Sequence, residues 1–255
     1  MSRFYKYSGA GNDFVLFEEA IPAPVPSICH RKRGIGADGV LLLQKKSPSH
    51  YQMQIFNADG SEAEMCGNGL RTFFSHLFKR FPDEAPFTVY SMVGMHKGWR
   101  CADGEIEIEM STPHIIEIKK SYSQVICDLI DTGVPHLVLS REQALSSFTF
   151  SEIAPNLRRH AALTHGANVN FVEKIGENWK VSTFERGVEE ITEACGTGAV
   201  ASALSLALHE GLSSPISLLT PGGDTLTVNW QGKPTSPQQL TLKGKTALVF
   251  EGDWL

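Results

Sequence analysis

The sequence predicts an α/β (α+β) protein built from two similar halves related by a pseudo-twofold axis. Two observations predict it. The first is a repeated six-residue pattern, Glu-x-Cys-Gly-x-Gly, at Glu64–Gly69 and again at Glu193–Gly198, each opening onto an apolar run. The second is a series of short segments with hydrophobic period two, separated by turn residues, lying before and after each copy of the pattern. A further echo joins the halves: "GNDFVLFE" (11–18) resembles "GANVNFVEK" (166–174), each an Asn leading into an apolar strand ahead of its cysteine. The halves are expected at 1–112 and 113–244. The boundary falls near "MSTPHI", where a strand ends at a proline, and a last strand at about 245–255 is a candidate to return to the first half.

Taken in order, "DGVLLLQ" and "VICDLID" read as short apolar strands. "YQMQIFN" alternates Tyr51, Met53 and Ile55, and "EIEIEM" alternates Ile106, Ile108 and Met110. "WKVSTFER", "TLTVNW" and "TALVFEG" read the same way. Two segments read as helices. After Cys66 the apolar positions are Leu70, Phe73, Phe74, Leu77, Phe78 and Phe81, an i, i+3, i+4 stripe stopped by Pro82. After Cys195 come Val200, Ala203, Leu204, Ala207 and Leu208, with Gly211 at the C-terminal cap.

Composition excludes several functions. The 255 residues carry a formal charge of -5, which does not provide the basic face that non-specific nucleic-acid binding needs. No apolar run approaches the roughly 18 residues of a membrane span, and the start lacks the apolar core of a signal peptide, so a cytoplasmic protein is expected. The cysteine count is odd and contains no Cys-x-x-Cys, which argues against a disulfide framework, and no metal is expected. "GIGADG" (34–39) matches Gly-x-Gly-x-x-Gly but precedes a strand instead of following one, so it is read as a glycine turn and not a dinucleotide loop.

Cys29, Cys101 and Cys127 read as small hydrophobes. Cys66 and Cys195 read differently because each stands where a loop becomes a helix. Helix N-termini carry unpaired N–H groups and partial positive charge, which favour a thiolate and can hold a carboxylate. Gly67, Gly69, Gly196 and Gly198 let backbone approach a ligand. Two such starts suit a reaction in which one thiolate takes a proton from one face of a carbon and a thiol returns one to the other face. The carbanion between the two steps needs N–H donors at its carboxylate. No signature for pyridoxal phosphate is present, and no cofactor is expected.

Five stretches, "YSGAGNDFVLFE", "RGIGADGVLLL", "IFNADGSEAEMCGNGLRTF", "GANVNFVE" and "FERGVEEITEACGTGAVAS", occur in order from residue 7 to about 202. Together they resemble the diaminopimelate epimerase family. The resemblance implies two similar domains, each a curled, mostly antiparallel sheet around a central helix, with the active site in the interdomain cleft. It implies cofactor-independent interconversion of LL- and meso-diaminopimelate, on the route to lysine and peptidoglycan, with a small-molecule substrate and a possible homodimer. It makes Cys195 the base for the LL substrate and Cys66 the acid, with roles reversed in the other direction. Gly67, Asn68, Gly196 and Thr197 would hold the reacting α-carboxylate. Asn12, Asn57, Asn168, Glu185 and Arg186 would fix the distal end, the fork of Arg186 suiting a carboxylate and Glu185 an ammonium. His136 and Glu185 would join the cysteines among the catalytic residues.

Two positions depart from the family pattern. Val134 stands in "GVPH" (133–136) where the family often has Gly-Asn-Pro-His, and Gly39 stands where some members have Gln. Both imply lost polar contacts and relaxed specificity toward glutamate or aspartate. Rival readings are a proline racemase or hydroxyproline epimerase, whose relatives carry His where Asn68 stands, and a thiol redox-switch protein.

Overall fold

A computed structural model describes residues 1–140 and 149–255. The chain forms two compact units, Met1–Glu109 with Lys243–Leu255, and Met110–Leu242.

The first unit opens with β1 (Ser2–Gly9), β2 (Asn12–Glu18), a short helix α1 (Val25–Cys29), β3 (Gly39–Ser47), β4 (His50–Asn57), the two-residue β5 (Glu62–Ala63) and α2 (Gly67–Arg80). β6 (Thr88–Ser91), β7 (Gly94–His96), β8 (Gly98–Arg100) and β9 (Ile106–Glu109) follow. β1 and β2 pair antiparallel, β2 and β3 parallel, β3 and β4 antiparallel, and β4 and β6 parallel, with β5 on β4. The C-terminal strand Ala247–Trp254 pairs antiparallel with β1 and closes that edge of the sheet. It is more exposed than its period-two pattern predicts, with Val249 and Phe250 57% and 47% exposed, because it has a neighbour on one side alone.

Tyr51, Met53 and Ile55 point inward from β4, as their alternation predicts. α2 lies against β1, β2 and β3 and against the β8–β9 hairpin. Leu70, Phe73, Phe74 and Leu77 of its stripe are fully buried. Burying each contributes about 1.5–3 kcal/mol, an upper estimate since the unfolded chain already hides some of this surface. The helix stops at Arg80 before Pro82, where the sequence places the break.

The second unit contains β10 (His114–Tyr122), β11 (Val125–Asp131), β12 (Pro135–Ser140), α3 (Phe150–Arg158), β13 (Asn168–Ile175), β14 (Asn178–Phe184), β15 (Ile191–Thr192), α4 (Gly196–Glu210), β16 (Ile216–Leu219), β17 (Thr225–Gln231) and β18 (Gln238–Gly244). Its pairing repeats the first unit step for step. β11 and β12 are antiparallel, β12 and β13 parallel, β13 and β14 antiparallel, and β14 and β16 parallel, with β15 on β14. α4 is buried all round from Gly196 to Ala207 except at Thr197, including Ala199, Ala201 and Leu206 off the expected stripe. A helix apolar on every face is an interior helix, and α4 packs against six strands of its own sheet.

The repeat corrects two sequence readings. Two helices are read from the sequence, and the described residues contain four. The first two-strand crossover carries α1 and the second carries α3, each within a parallel pair, β2 to β3 and β12 to β13. Prolines hid both: Pro24 and Pro26 flank the start of α1, and Pro155 lies inside α3. The echo between residues 11–18 and 166–174 is also one strand out of step. β2 corresponds to β12, and β13 corresponds to β3, so the true counterpart of "GANVNFVE" is "GADGVLLL".

Candidate active site

The repeated pairing sends the candidate residues of each unit to one end of its sheet. In the first unit, Phe14 pairs with Gly39 and Gly39 pairs with Asn57, so the N-terminal ends of β2 and β3 meet the C-terminal end of β4. In the second, His136 pairs with Asn168, while Val169 pairs with Phe184, the residue before Glu185. Asn57 and Glu185 are therefore counterparts, each at or just past the last residue of a corresponding strand. Both two-residue strands then deliver a cysteine to the start of the following helix.

Cys66 is the N-cap of α2, with extended backbone (φ -146, ψ 115). Its sulfur accepts a hydrogen bond from the Gly69 N–H at 3.4 Å, taking the place a Ser or Thr oxygen usually fills at this position. Gly67 and Asn68 follow as buried first-turn residues. The Asn68 amide donates to Asn12 Oδ1, and its own Oδ1 accepts from Arg71 Nη2 at 2.6 Å. Asn12 donates in turn to Asp38 at 3.2 Å. The structure thus brings Asn12, Asn68 and the Cys66 helix start together. Asn57 is exposed, and its side-chain amide donates to Ser61 Oγ at 3.0 Å within its own turn.

The glycine turn at 34–39 is held by ion pairs. Arg31 forks onto both oxygens of Asp13 at 2.9 and 3.0 Å and reaches Asp38 at 2.7 Å, and Lys6 bonds Asp13 at 2.6 Å. Burial alone raises the Asp13 carboxyl, but Arg31 and Lys6 outweigh it and hold the group at about 2. Gly39 is a packing residue: a Cβ there would stand 2.6 Å from the Phe56 carbonyl oxygen.

In the second unit, Cys195 caps α4 with φ -128 and ψ 112, is 8% exposed, and has its sulfur 3.5 Å from Thr197 Oγ1. Thr132, in the turn that also holds Val134, donates to the Thr197 carbonyl at 3.4 Å. His136 is fully buried, and burial pushes its imidazole down to about 3, so it is neutral at working pH. Its Nδ1 lies 3.0 Å from the Asn170 amide nitrogen and its Nε2 3.5 Å from that of Asn168. Asn168 Oδ1 accepts the Arg186 backbone N–H at 2.7 Å. The Arg186 guanidinium reaches the His165 carbonyl at 3.4 Å. Burial raises the Glu185 carboxyl above its ordinary value.

The remaining thiols are weaker acids than an ordinary cysteine. Burial pushes Cys29 to about 11 and Cys127 to about 12, and also raises Cys101. None of the five cysteines is in a disulfide. A cavity of about 510 Å³ in the first unit, lined by Arg3, Tyr5, Tyr7, Glu18, His76 and Arg80 among others, shares no lining residue with the candidate site.

A family model described as diaminopimelate epimerase matches residues 4–116 and 129–246. The chain belongs to the diaminopimelate epimerase family. Its similar relatives include a diaminopimelate epimerase of Nitratiruptor sp., 36% identical over 252 residues covering 96% of each chain. Another is that of Methanocella arvoryzae, 33% identical over 277 residues and covering 98% of this chain and 96% of the relative. Among solved structures, a phenazine biosynthesis protein of the PhzF family from Bacillus anthracis superposes with TM-score 0.72 at 13% identity, covering 100% of this chain and 99% of that one. A probable proline racemase from Agrobacterium radiobacter superposes with TM-score 0.68 at 14% identity, covering 100% and 93%. At such identity the last two establish the two-domain fold alone.

Against this family background, the sequence reading missed Asn170, Thr183 and Gly198 as a group. Asn170 and Thr183 are direct partners across β13 and β14, and Thr183 donates to Asn170 Oδ1 at 2.8 Å. A Cβ on Gly198 would stand 2.4 Å from Asn170 Oδ1, 2.8 Å from Thr183 Oγ1 and 3.3 Å from Cys195 Sγ. The polar pair therefore lies directly under the cysteine-bearing start of α4. Finding it from sequence requires the strand register, which composition does not supply.

Proposed function

We propose that this isomerase epimerises diaminopimelate at Cα, converting the LL to the meso form by two-base proton transfer. The observation that carries the reading is the recurrence, once per unit, of a cysteine as N-cap of a glycine-opened helix at the end of a matching strand set. Cys195 as thiolate takes the Cα proton of the LL substrate, leaving the electron pair on carbon. Cys66 as thiol gives a proton to the opposite face. After turnover Cys195 holds the proton and Cys66 the charge, and exchange with solvent resets both. The first-turn N–H groups of Gly67, Asn68, Gly196 and Thr197 hold the α-carboxylate and stabilise the charge that develops as the proton leaves. Asn12, Asn57, Asn168, Glu185 and Arg186 recognise the distal amino-acid end. His136 acts as a neutral hydrogen-bonding group and not as a charged acid. The proposed place of action is the cytoplasm; no helix among the described residues is long and apolar enough to cross a membrane.

Incubation with LL-diaminopimelate in deuterated water, without added cofactor, tests this directly. Deuterium appears at Cα together with the meso product; unlabelled, uninverted substrate overturns the reading. A proline racemase would instead label proline, and a dithiol switch would label neither.

Specificity supplies a finer test. Val134 is half-buried in the turn that positions Thr132 against Thr197. Valine makes no hydrogen bond through its side chain, and one neutral contact is worth about 0.5–1.5 kcal/mol net, or up to about tenfold. Diaminopimelate is expected to remain the best substrate, with slow racemisation of glutamate or aspartate, because a site missing a polar group rejects analogues less strongly. Val134→Asn is expected to raise the ratio of kcat/KM for diaminopimelate over glutamate. An unchanged ratio, or no glutamate turnover by the parent protein, contradicts the expectation.

A further inference from the structure

The Asn170 amide can be oriented from its neighbours. Its Nδ2 lies 3.1 Å from the Leu137 carbonyl oxygen, and a carbonyl only accepts, so nitrogen and not oxygen must face it. The other end agrees, since Oδ1 takes the Thr183 hydroxyl at 2.8 Å. The same Nδ2 lies 3.0 Å from His136 Nδ1. An amide nitrogen has two hydrogens and no lone pair to offer. His136 Nδ1 must therefore be the acceptor, and in a neutral ring the proton then sits on Nε2.

We infer that Asn170, held by Thr183, is a positioning residue that fixes His136 as the Nε2-protonated tautomer, so that the ring keeps a donor on Nε2. The inference rests on the proposed epimerase reading for its consequence, but not for its geometry. Asn170 and His136 are fully buried and Thr183 nearly so, which leaves no bulk water to exchange the roles. Nε2 lies 3.5 Å from the amide nitrogen of Asn168, whose Oδ1 is held by the Arg186 N–H. That nitrogen also only donates, so the closer Asn170 contact at 3.0 Å decides which ring nitrogen accepts, and Asn168 offers the Nε2 hydrogen no acceptor. Arg186 is the charged group acting on the ring, and it opposes a second proton there, as burial does. A hydrogen on Nε2 can donate to an anionic group; a lone pair there would repel one. The cluster also borders the cysteine of its own unit, since Asn170 Oδ1 and Cys195 Sγ both crowd the empty Cβ position of Gly198.

The parent protein labelled with 15N-histidine tests the tautomer without any substitution, with the His136 signals assigned from the spectrum of His136→Asn. The expected result is a hydrogen on Nε2, none on Nδ1, and no titration between about pH 5 and 8. A hydrogen on Nδ1, or a titration in that range, overturns the inference. Asn170→Asp then tests the consequence. A carboxylate only accepts, so the proton should move to Nδ1 and His136 should begin to titrate. At neutral pH, kcat/KM for diaminopimelate should fall at least tenfold, mainly through KM. The pH profile should gain a histidine ionisation that the parent lacks. Parent-like rates and profile in a variant whose tautomer has moved would overturn the positioning role. Failure of the parent itself to exchange Cα deuterium would sink the epimerase reading and leave the tautomer assignment standing.

Discussion

Cys66→Ala and Cys195→Ala are each expected to abolish epimerisation, with kcat/KM reduced by at least about a thousandfold, within the range that loss of a positioned acid or base produces. Cys29→Ala, Cys101→Ala and Cys127→Ala are expected to keep near-parent rates. The contrast follows from where each sulfur stands. Cys66 and Cys195 are helix N-caps, next to first-turn N–H groups that can hold a carboxylate. Cys29 and Cys127 are sealed in apolar surroundings that push their thiols to about 11 and 12, too weak to supply a thiolate at neutral pH. Cys101 is half-buried and faces Glu107 at 3.8 Å, which also disfavours a negative sulfur. Removing Cys29 or Cys127 from the core should cost about 1 kcal/mol of stability, a loss visible in unfolding and not in rate.

The single-base variants also separate the two thiols. With Cys195 intact, Cys66→Ala can still remove and return a proton on one face, so slow Cα exchange of the LL substrate without inversion is expected. Cys195→Ala should do the same for the meso substrate through Cys66. Following deuterium and configuration together measures this. Either variant inverting at near-parent rate would show that the two-thiol mechanism is wrong.

Much of the fold is legible in the sequence where one physical signal dominates. The stripe from Leu70 to Phe81 has a single period, and Pro82 ends it in the chain as in the structure. Tyr51, Met53 and Ile55 alternate because their strand has one buried face. The readings that failed are those where signals conflict. Pro155 argues against helix within α3, yet Thr149 and Glu152 form a capping box that argues for it, and the cap marks the real start. The internal repeat is detectable but misaligned, because the Asn before an apolar strand stands in the first member of one parallel pair, Asn12 of β2, and in the second member of the other, Asn168 of β13. Pairing direction, which resolves it, is not a local property of the sequence.

The candidate site shows the same division. Both cysteines announce themselves through their glycine-flanked spacing. Asn12, Asn68, Asn168 and Arg186 are visible only through the family resemblance, since a lone Asn in a turn is ordinary. Asn170 and Thr183 are visible through neither. Each reads as a polar residue within an apolar strand, and only their cross-strand register turns them into one hydrogen-bonded unit beneath Gly198.

That unit gives the second large expected effect, because the repeated glycines at the third helix position are not equivalent. At Gly69 an added Cβ would meet Leu41 Cδ2 at 3.4 Å, Cys66 Cβ at 3.5 Å and Phe14 Cζ at 3.6 Å, all ordinary apolar contacts. Alanine is a better helix former than glycine, so Gly69→Ala is expected to be neutral or to stabilise by up to about 1 kcal/mol. At Gly198 the same Cβ would stand 2.4 Å from Asn170 Oδ1 and 2.8 Å from Thr183 Oγ1, inside any permitted contact. Neither partner can swing aside, since both are buried and bonded to each other. The start of α4 must therefore move, or the cluster must break. Overpacking of this kind costs about 1–3 kcal/mol, and a broken buried hydrogen bond adds about 1–3 more, which together exceed the helix gain. Gly198→Ala is expected to lower the melting temperature by at least about 3 °C, since a domain of this size loses about 2–4 °C per kcal/mol. It should also lower kcat/KM by about a hundredfold, because the sulfur of Cys195 sits 3.3 Å from the same point and a shift near 1 Å misplaces the base. Thermal unfolding and steady-state kinetics on the two variants side by side decide the matter. Equal behaviour of Gly69→Ala and Gly198→Ala would mean that the start of α4 yields as freely as that of α2, and that the cluster beneath it positions nothing.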